Sequence, residues 1–208
     1  MGCTPIGATG ELLAPTSTPR VVKMAEAIKG LITFKDFLDE AQVAHVENVL
    51  VQCAKEADFQ VNNREYPKEG YPSDKECNRV VGLDSRGNPV RRAMELGTMK
   101  HEVAFACVER ELGREFSAHV SREPRYAQSQ SGGNHTLTQE AIGSLVPDIV
   151  IHWVDNANKI HRLYDFFFPC TARSKSDPIG AQGKLDKYKP LAGDGERALV
   201  IPQLGISR

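Results

Sequence analysis

Two aspartates, Asp148 and Asp165, stand next to short apolar runs that are typical of buried strands. Residues 149–151 (Ile-Val-Ile) follow the first aspartate, and residues 166–168 (three Phe) follow the second. Burying one carboxylate is unfavourable, and burying two close together is more so, unless a cation lies between them. Two carboxylates on adjacent strands suit a hard divalent cation such as Mg²⁺, which usually serves phosphate chemistry. The pattern therefore predicts a metal-dependent enzyme that acts on phosphodiesters.

The elements that must position these aspartates are predicted from apolar spacing and turn signals. A helical pattern runs from Arg92 to Leu112 and ends at Gly113. Strands are predicted at 116–120, 145–154, 160–168 and 198–201, and the Asn- and Asp-rich turn at 155–158 predicts a hairpin. Helical character returns at 182–188. This order of elements predicts an α+β fold around a small mixed sheet.

The chain before this core has a different character. Residues 1–20 are rich in Gly, Pro and Thr and predict a flexible arm. Residues 21–90 predict a helical and irregular preface, with one helix at 22–32 and a second that begins near Phe34 with Thr33 as its cap. Ser73 or Asp74 is expected to cap a further short helix. The core itself is predicted to span 91–208.

Composition bounds the classes of function that remain. The chain has 208 residues, 40% hydrophobic and 25% charged, which is typical of a soluble globular protein. The formal net charge is −1, so any nucleic-acid-binding surface must be a local patch. The absence of a long apolar run predicts no membrane span, and no signal peptide is expected, because no charged and apolar regions precede Cys3.

The five cysteines show no zinc-binding spacing. Cys53 and Cys107 lie in helical patterns and are predicted to be buried apolar side chains. Cys77 and Cys170 each follow a turn that contains proline and could pair with each other. Reduced thiols are favoured, because no secretory signal is evident.

The two aspartates also support a resemblance. The dipeptide Pro147-Asp148, followed by Asp165 on the second strand of a hairpin, resembles the PD-(D/E)xK nuclease superfamily, the restriction-endonuclease-like fold, over about 92–205. Segments 164–170, 184–188 and 202–205 resemble more particularly the nuclease domains of bacterial polymorphic toxins. Such domains are delivered into rival cells, for example by type VI secretion.

The resemblance implies a set of metal ligands. Asp148, Asp165 and the backbone carbonyl of Phe166 would bind Mg²⁺ or Mn²⁺, which would polarise the scissile phosphate and lower the pKa of an attacking water. A glutamate from the preceding helix often completes such a site. The candidates are Glu102, then Glu95 and Glu109. The alternative for each is that it lies on a solvated face of the helix and binds no metal. His101 is expected to be a packed or hydrogen-bonded side chain rather than a ligand.

The sequence departs from the family pattern at position 167. The family has a lysine there, which orients water and stabilises developing negative charge, whereas this chain has Phe167. Strand alternation predicts that Asp165 and Phe167 point to one face and that Phe166 and Phe168 point to the other. A phenylalanine in the active-site cleft would then stand where a polar residue is expected.

Three explanations of Phe167 stay open. The first is that the chain is an inactivated variant, natural or engineered. The second is that the lysine has moved, with Lys184 the first candidate and Lys175 the second. The third is that the nuclease assignment is wrong or that the domain only binds. Lys184 and Tyr188 lie four residues apart and share a helix face. The nearby residues predicted to contact nucleic acid are Arg173, Lys175, Gln182, Lys187 and Tyr188.

Two classes of function follow. The first is a metal-dependent nuclease toxin, most simply a DNase with RNA as the other substrate, which acts in the cytoplasm of a target bacterium. The resemblance implies a cognate immunity protein and a secretion-apparatus carrier or chaperone as its partners. The second is a non-catalytic binding module in which the aspartates are structural and Phe167 is ordinary core. An immunity or chaperone partner of such a toxin is disfavoured, because a binding protein gains little from paired buried carboxylates.

Overall fold

The computed structural model describes residues 36–128, 134–192 and 195–208, apart from the side chains of residues 179 and 182. The arm predicted at 1–20, the helix predicted at 22–32 and the cap Thr33 lie outside the described residues. Within the described part of the chain, no helix is both long and apolar enough to cross a membrane.

The described chain is a mixture of helices and short strands. The helices are α1 (Glu40–Glu65), α2 (Asp74–Asn78), α3 (Arg92–Leu112), α4 (Ala172–Ser176) and α5 (Lys189–Ala192), with 3-10 helices at Arg114–Phe116 and Ile179–Tyr188. The strands are β1 (Val80–Leu83), β2 (Pro89–Arg91), β3 (Val120–Arg122), β4 (Tyr126–Gln128), β5 (His135–Leu137), β6 (Ile149–Trp153), β7 (Asn156–Phe166), β8 (Glu196–Ile201) and β9 (Gly205–Ser207).

The central sheet has the strand order β3-β6-β7-β8-β9. Strands β6 and β7 form an antiparallel hairpin, whereas β7 and β8 are parallel, so the chain must cross over between them. That crossover consists of α4, the second 3-10 helix and α5. The prediction of an α+β fold with a small mixed sheet is confirmed, and the two-stranded pairs β1-β2 and β4-β5 lie outside this sheet.

The two long helices have local reasons for where they begin and end. Helix α1 begins with a capping box, in which the side chain of Asp39 accepts from the backbone of Gln42 and the side chain of Gln42 accepts from the backbone of Asp39. Helix α3 ends where the sequence predicts, at Gly113, whose φ of 64° suits a residue without Cβ. Both helices therefore have ends that the sequence encodes directly.

Hydrophobic clusters cover both faces of the central sheet. On one face, α1 and α3 pack against side chains of β6, β7 and β8 that include Ile151, Phe166 and Val200. On the other face, the second 3-10 helix and α5 pack against Val150 and Leu199. Alternate residues of each strand enter opposite clusters, as the pleat requires. The sheet is thus the middle layer of three, and full burial of each large side chain contributes about 1.5–3 kcal/mol.

Several predicted boundaries are corrected. The segment 116–120, predicted as a strand, is mostly a 3-10 helix and turn, and the strand begins at Val120. Helix α1, which was predicted to begin near Phe34, begins at Glu40 with Asp39 as its cap. Ser73 caps α2 as expected, with its side chain accepting from the backbone N–H of Glu76. Spacing alone located these elements but could not fix their ends, because caps depend on single side chains.

The expectation of reduced, unpaired cysteines is wrong for the described residues. Cys53 is bonded to Cys107, and Cys77 is bonded to Cys170, with Cα atoms 5.4 and 5.9 Å apart. Each bond joins segments distant in sequence, so no local spacing could have indicated the pairing of Cys53 with Cys107. The first bond ties α1 to α3, and the second ties α2 to the segment that follows β7.

A buried histidine on β6 is expected to make stability depend on pH. The Nδ1 atom of His152 lies 2.7 Å from the carbonyl oxygen of Trp153, and its Nε2 atom lies 2.9 Å from Ser121 Oγ. The neutral ring satisfies both, donating at Nδ1 and accepting at Nε2. Burial, together with the neighbouring His119, lowers the pKa of His152 below its ordinary value.

The lowered pKa of His152 determines how the stability of the fold changes with pH. The unfolded chain takes up this proton near pH 6.5 while the folded chain resists it, so stability is complete above that pH. It is lost as the pH falls through the lower, folded pKa of His152. Urea unfolding at a series of pH values should show this loss in the wild type and in His45→Gln, whose ring is exposed on α1. His152→Gln should lack the loss of stability that comes from protonation of His152. An unchanged pH dependence of the unfolding free energy in that variant contradicts the role of His152.

Candidate active site

Asp148 and Asp165 meet at the end of the β6–β7 hairpin. Asp148 directly precedes β6, and Asp165 lies near the end of β7, in a register that pairs Ile149 with Tyr164. The backbone N–H of Asp148 donates to Asp165 Oδ1 at 3.2 Å, and the backbone N–H of Phe166 donates to Asp148 Oδ2 at 2.6 Å. Each carboxylate thus accepts a backbone N–H from the other's strand. The two side chains are 16% and 15% exposed, so they form a close, largely buried pair of like charges.

The segment after β7 supplies two further contacts to Asp165. The hydroxyl of the fully buried Tyr188 lies 3.0 Å from Asp165 Oδ1 and 2.7 Å from the carbonyl oxygen of Val146, so these two acceptors share its single proton. The ammonium of Lys187 lies 3.5 Å from Asp165 Oδ2. Burial and the negative charge of Asp148 raise the pKa of Asp165, and Lys187 offsets only part of that effect. Lys187 therefore compensates the charge of Asp165 only in part.

His101 approaches Asp148 from helix α3. Its Nε2 atom lies 3.0 Å from Asp148 Oδ2, and its Nδ1 atom lies 2.9 Å from the carbonyl oxygen of Gly97. Both partners are acceptors, so the doubly protonated ring satisfies both contacts. Burial opposes that charged form, but the hydrogen bond and charge of Asp148 outweigh it, and the pKa of His101 is raised. The ring of Phe168 packs edge-on against His101, with ring centroids 5.2 Å apart.

Phe167 packs where its strand position predicts. Its side chain is partly buried in the cluster that contains Tyr188, whereas Phe166 and Phe168 pack on the opposite face of the sheet. The ammonium of Lys184 lies 4.3 Å from the centroid of the Phe167 ring, within cation–π range. Burial and the nearby Lys187 lower the pKa of Lys184. Position 167 is therefore filled by an aromatic ring with an ammonium group over it.

The glutamates of α3 lie away from the aspartate pair. Glu102 is exposed, Glu95 pairs with Arg92, and Glu109 pairs with Arg122. The residue of α3 that contacts the pair is His101, next to the first candidate. His101 and Glu102 are adjacent in sequence, and one residue turns the side-chain direction by about 100° around the helix axis.

The other predicted binding residues are spread along the crossover. Lys187 contacts Asp165, Lys175 lies 4.8 Å from the ring centroid of Tyr71, and Arg173 is exposed. The side chain of Gln182 lies outside what the structure describes. Lys184 and Lys175 are the two candidates for a lysine that has moved from position 167. Neither makes an ion pair with the aspartates, whereas Lys187 does. Sequence spacing could not separate Lys184 from Lys187, because three residues is close to one helical turn.

A groove opens beside the pair on the Phe167 side. Its volume is about 390 Å³, and its lining includes Phe167, Thr171, Arg173, Ser174, Ala181 and Lys184. We call it the Arg173–Lys184 groove. The sequence indicated Arg173 and Lys184 as site residues but did not predict the groove. The groove forms only where α4 and the second 3-10 helix pack beside the end of β7.

Whether the pair can bind a metal ion depends on which of its carboxylate oxygens lack a hydrogen-bond or charged partner. Asp148 Oδ1 accepts no hydrogen bond from a described residue, and Asp165 Oδ2 faces the ammonium of Lys187. Asp148 Oδ1 is therefore the free oxygen, and Asp165 Oδ2 is held only by an exposed lysine at 3.5 Å. This suits a hard divalent cation, which commonly takes one or two protein carboxylates and completes its shell with water and phosphate. Within the described ranges, no group of three or more His, Cys, Asp or Glu side chains is arranged to hold a metal ion.

Comparison of the chain with protein-family models, with curated proteins and with solved structures finds no match.

Proposed function

We propose that this chain is a metal-dependent nuclease whose active site is the Asp148–Asp165 pair. The observation on which the proposal depends is the exchange of backbone hydrogen bonds that holds two largely buried carboxylates together. Such a pair is costly without a function, because each charge raises the free energy of the other. The order α3, β3, β6, β7, crossover and β8 supports a restriction-endonuclease-like core for the same proposal.

The side chains around the pair have distinct roles in this proposal. Mg²⁺ or Mn²⁺ held by Asp148 and Asp165, with the carbonyl of Phe166, would polarise the scissile phosphate and lower the pKa of an attacking water. Tyr188 holds Asp165 by its hydroxyl, and His101 holds Asp148 by its Nε2–H. These contacts keep both carboxylates in fixed orientations before substrate binds, which is the condition for efficient electrostatic stabilisation.

Lys187 is our candidate for the cation that the family pattern has at position 167. Its ammonium is 3.5 Å from Asp165, and its side chain is 52% exposed, so it can reach a substrate phosphate as well. A lysine introduced at position 167 would instead meet the ammonium of Lys184, which already lies over that position. The chain as it stands is therefore expected to be active.

The resemblance supports a more specific proposal: a toxin domain delivered into a rival bacterium, with a cognate immunity protein and a secretion-apparatus carrier or chaperone. The two disulfides favour a chain that spends part of its life in an oxidising compartment, which is consistent with export. Coexpression with a neighbouring gene product that relieves toxicity tests this part.

Cleavage of supercoiled plasmid and of single-stranded RNA, with Mg²⁺ or Mn²⁺, tests the nuclease proposal. We expect cleavage by the wild type and a loss of roughly 10²–10³-fold in Lys187→Gln, as is typical when one charge-stabilising donor is removed. Lys187→Arg should retain much of the activity. Lys189→Gln is the matched control, because Lys189 follows closely on the same segment and pairs with Asp186.

The Phe167→Lys variant separates the remaining explanations. Cleavage by that variant and not by the wild type shows a disabled site that a lysine restores. Cleavage of neither DNA nor RNA by any variant contradicts the nuclease proposal.

The second candidate function is a non-catalytic binding module. The observation that favours it is the packing of Phe167 into the cluster around Tyr188, with Lys184 over its ring, as in an ordinary protein core. In that case Asp148 serves only to accept the N–H groups of Phe166 and His101. Nucleic-acid binding without cleavage is the result expected of such a module.

A further inference from the structure

Two cations line the Arg173–Lys184 groove without forming an ion pair. Among the described residues, no carboxylate lies within ion-pair distance of Arg173 or Lys184, and the contact of Lys184 is with the ring of Phe167. Asp177 also lines the groove and contributes one negative charge, and its Oδ1 atom accepts the backbone N–H of Gly180 at 2.9 Å. Lys187 adds a third positive charge nearby. This excess of positive charge in a concave site suits an anion.

The segment that bears Arg173 is fixed in place by contacts independent of any ligand. The disulfide between Cys77 and Cys170 holds its start. The backbone N–H of Ala172 donates to Asp74 Oδ1 at 2.8 Å, which ties the segment to helix α2. Because the backbone is already ordered, binding an anion at Arg173 would not have to pay for ordering the segment.

The groove also has a defined position relative to the aspartate pair. Phe167 lines the groove and follows Asp165 by two residues on the same face of the sheet, a separation of roughly 6.6 Å along a strand. Lys184 lies one helical turn before Lys187, which contacts Asp165. Neighbouring phosphates of an extended nucleic-acid strand are separated by a similar distance, so one strand could contact both places.

We propose that the Arg173–Lys184 groove binds the backbone phosphate of the nucleotide next to the scissile bond. The phosphate lies between the guanidinium of Arg173 and the ammonium of Lys184, and the sugar contacts the ring edge of Phe167. This inference rests on the proposed nuclease function and adds to it a subsite for the substrate strand. The recognised chemistry is a phosphodiester, which DNA and RNA share.

Fluorescence anisotropy with a labelled single-stranded oligodeoxynucleotide, in EDTA to prevent cleavage, tests the subsite directly. We expect Arg173→Ala/Lys184→Ala to weaken binding about tenfold or more, because two charge-assisted contacts are lost. The slope of log affinity against log salt should fall by about 0.7 for each contact removed. An oligoribonucleotide of the same sequence distinguishes the two sources of the phosphate, and inorganic phosphate should compete weakly.

A charge-matched double variant controls for net charge. Lys55→Ala/Lys159→Ala also removes two positive charges, from α1 and from the β7 end distant from Asp165, and should bind like the wild type. Circular dichroism of both double variants checks that they fold. Equal loss of affinity in both double variants, unchanged affinity in Arg173→Ala/Lys184→Ala, or no binding of either oligonucleotide by the wild type overturns the proposal.

The measurements distinguish failure of the subsite proposal from failure of the nuclease proposal. Loss of oligonucleotide binding in Arg173→Ala/Lys184→Ala, with no cleavage by any protein, supports the subsite and contradicts catalysis. Cleavage with an unchanged KM in that variant supports catalysis and contradicts the subsite.

Discussion

Asp148→Asn and Asp165→Asn are each expected to remove divalent-metal binding and to lower cleavage by roughly a thousandfold or more. Asparagine keeps an oxygen that can accept the backbone N–H groups but removes the charge that attracts a cation. A metal ion contributes several kcal/mol to stabilisation of the transition state, and each 1.36 kcal/mol is tenfold in rate. Calorimetric titration with Mn²⁺ measures the first effect even if the wild type proves inactive.

Asp165→Asn should not destabilise the fold as most buried changes do. Burial and the charge of Asp148 raise the pKa of Asp165, which means that the charged carboxylate is disfavoured where it lies. Asp165→Asn removes this repulsion, so its unfolding midpoint should equal or exceed that of the wild type. A lower midpoint would indicate that the carboxylate is needed for structure, as in the binding-module alternative.

Asp186→Asn is the matched control for both variants. Asp186 lies beside Lys187 in sequence, is exposed and pairs with Lys189, so the same chemical change there should leave metal affinity intact. Wild-type Mn²⁺ affinity in both Asp148→Asn and Asp165→Asn contradicts the metal site.

Breaking either disulfide is expected to lower the free energy of unfolding by about 2–5 kcal/mol. The bonds connect residues 54 and 93 positions apart, so each restricts a long stretch of the unfolded chain. Urea unfolding of Cys53→Ser/Cys107→Ser and of Cys77→Ser/Cys170→Ser, compared with the wild type, measures each contribution. A reductant should lower the stability of the wild type but have little further effect when both bonds are absent.

The two bonds should differ in their effect on binding. Cys77–Cys170 holds the segment that bears Arg173, whereas Cys53–Cys107 joins α1 and α3 behind the sheet. We therefore expect oligonucleotide binding to weaken more in Cys77→Ser/Cys170→Ser, at a temperature where both variants are folded.

Thiol counting checks that the bonds exist. Alkylation of the unfolded, unreduced protein should leave Cys53, Cys77, Cys107 and Cys170 unmodified, and prior reduction should expose them. Cys3→Ser is the control variant, because Cys3 belongs to neither bond. Alkylation of the four cysteines without reduction contradicts the pairing.

The local features of the fold were open to prediction from sequence. The end of α3 at Gly113 and the cap of α2 at Ser73 depend on single residues acting within one turn. The alternation that sends Phe166 and Phe167 to opposite faces follows from the pleat alone. The short strands β1, β2, β4, β5 and β9 were not predicted, because three or four residues give too little periodicity to recognise.

The sequence named Lys184, Lys187 and Tyr188 but could not tell which of them contact the aspartate pair, because that depends on which side of a helix faces the sheet. Lys184, Lys187 and Tyr188 lie within five residues, yet only Lys187 and Tyr188 contact Asp165. The segment is a 3-10 helix, whose side-chain directions differ from those of the α-helix that the sequence indicated. In the α-helix α3, His101 rather than Glu102 contacts Asp148, because successive side chains point about 100° apart around the helix axis.

The sequence by itself determined that Asp148 and Asp165 lie on neighbouring strands of a hairpin within an α+β fold, because apolar runs and a turn signal are local properties of the chain. Only the tertiary structure decided which side chains surround that pair and which cysteines are bonded. Those contacts join residues that are far apart in the chain, such as Cys77 and Cys170, and they depend on how whole helices pack on the sheet. No local pattern specifies that packing, so the neighbours of a buried charge become known only when the layers are assembled.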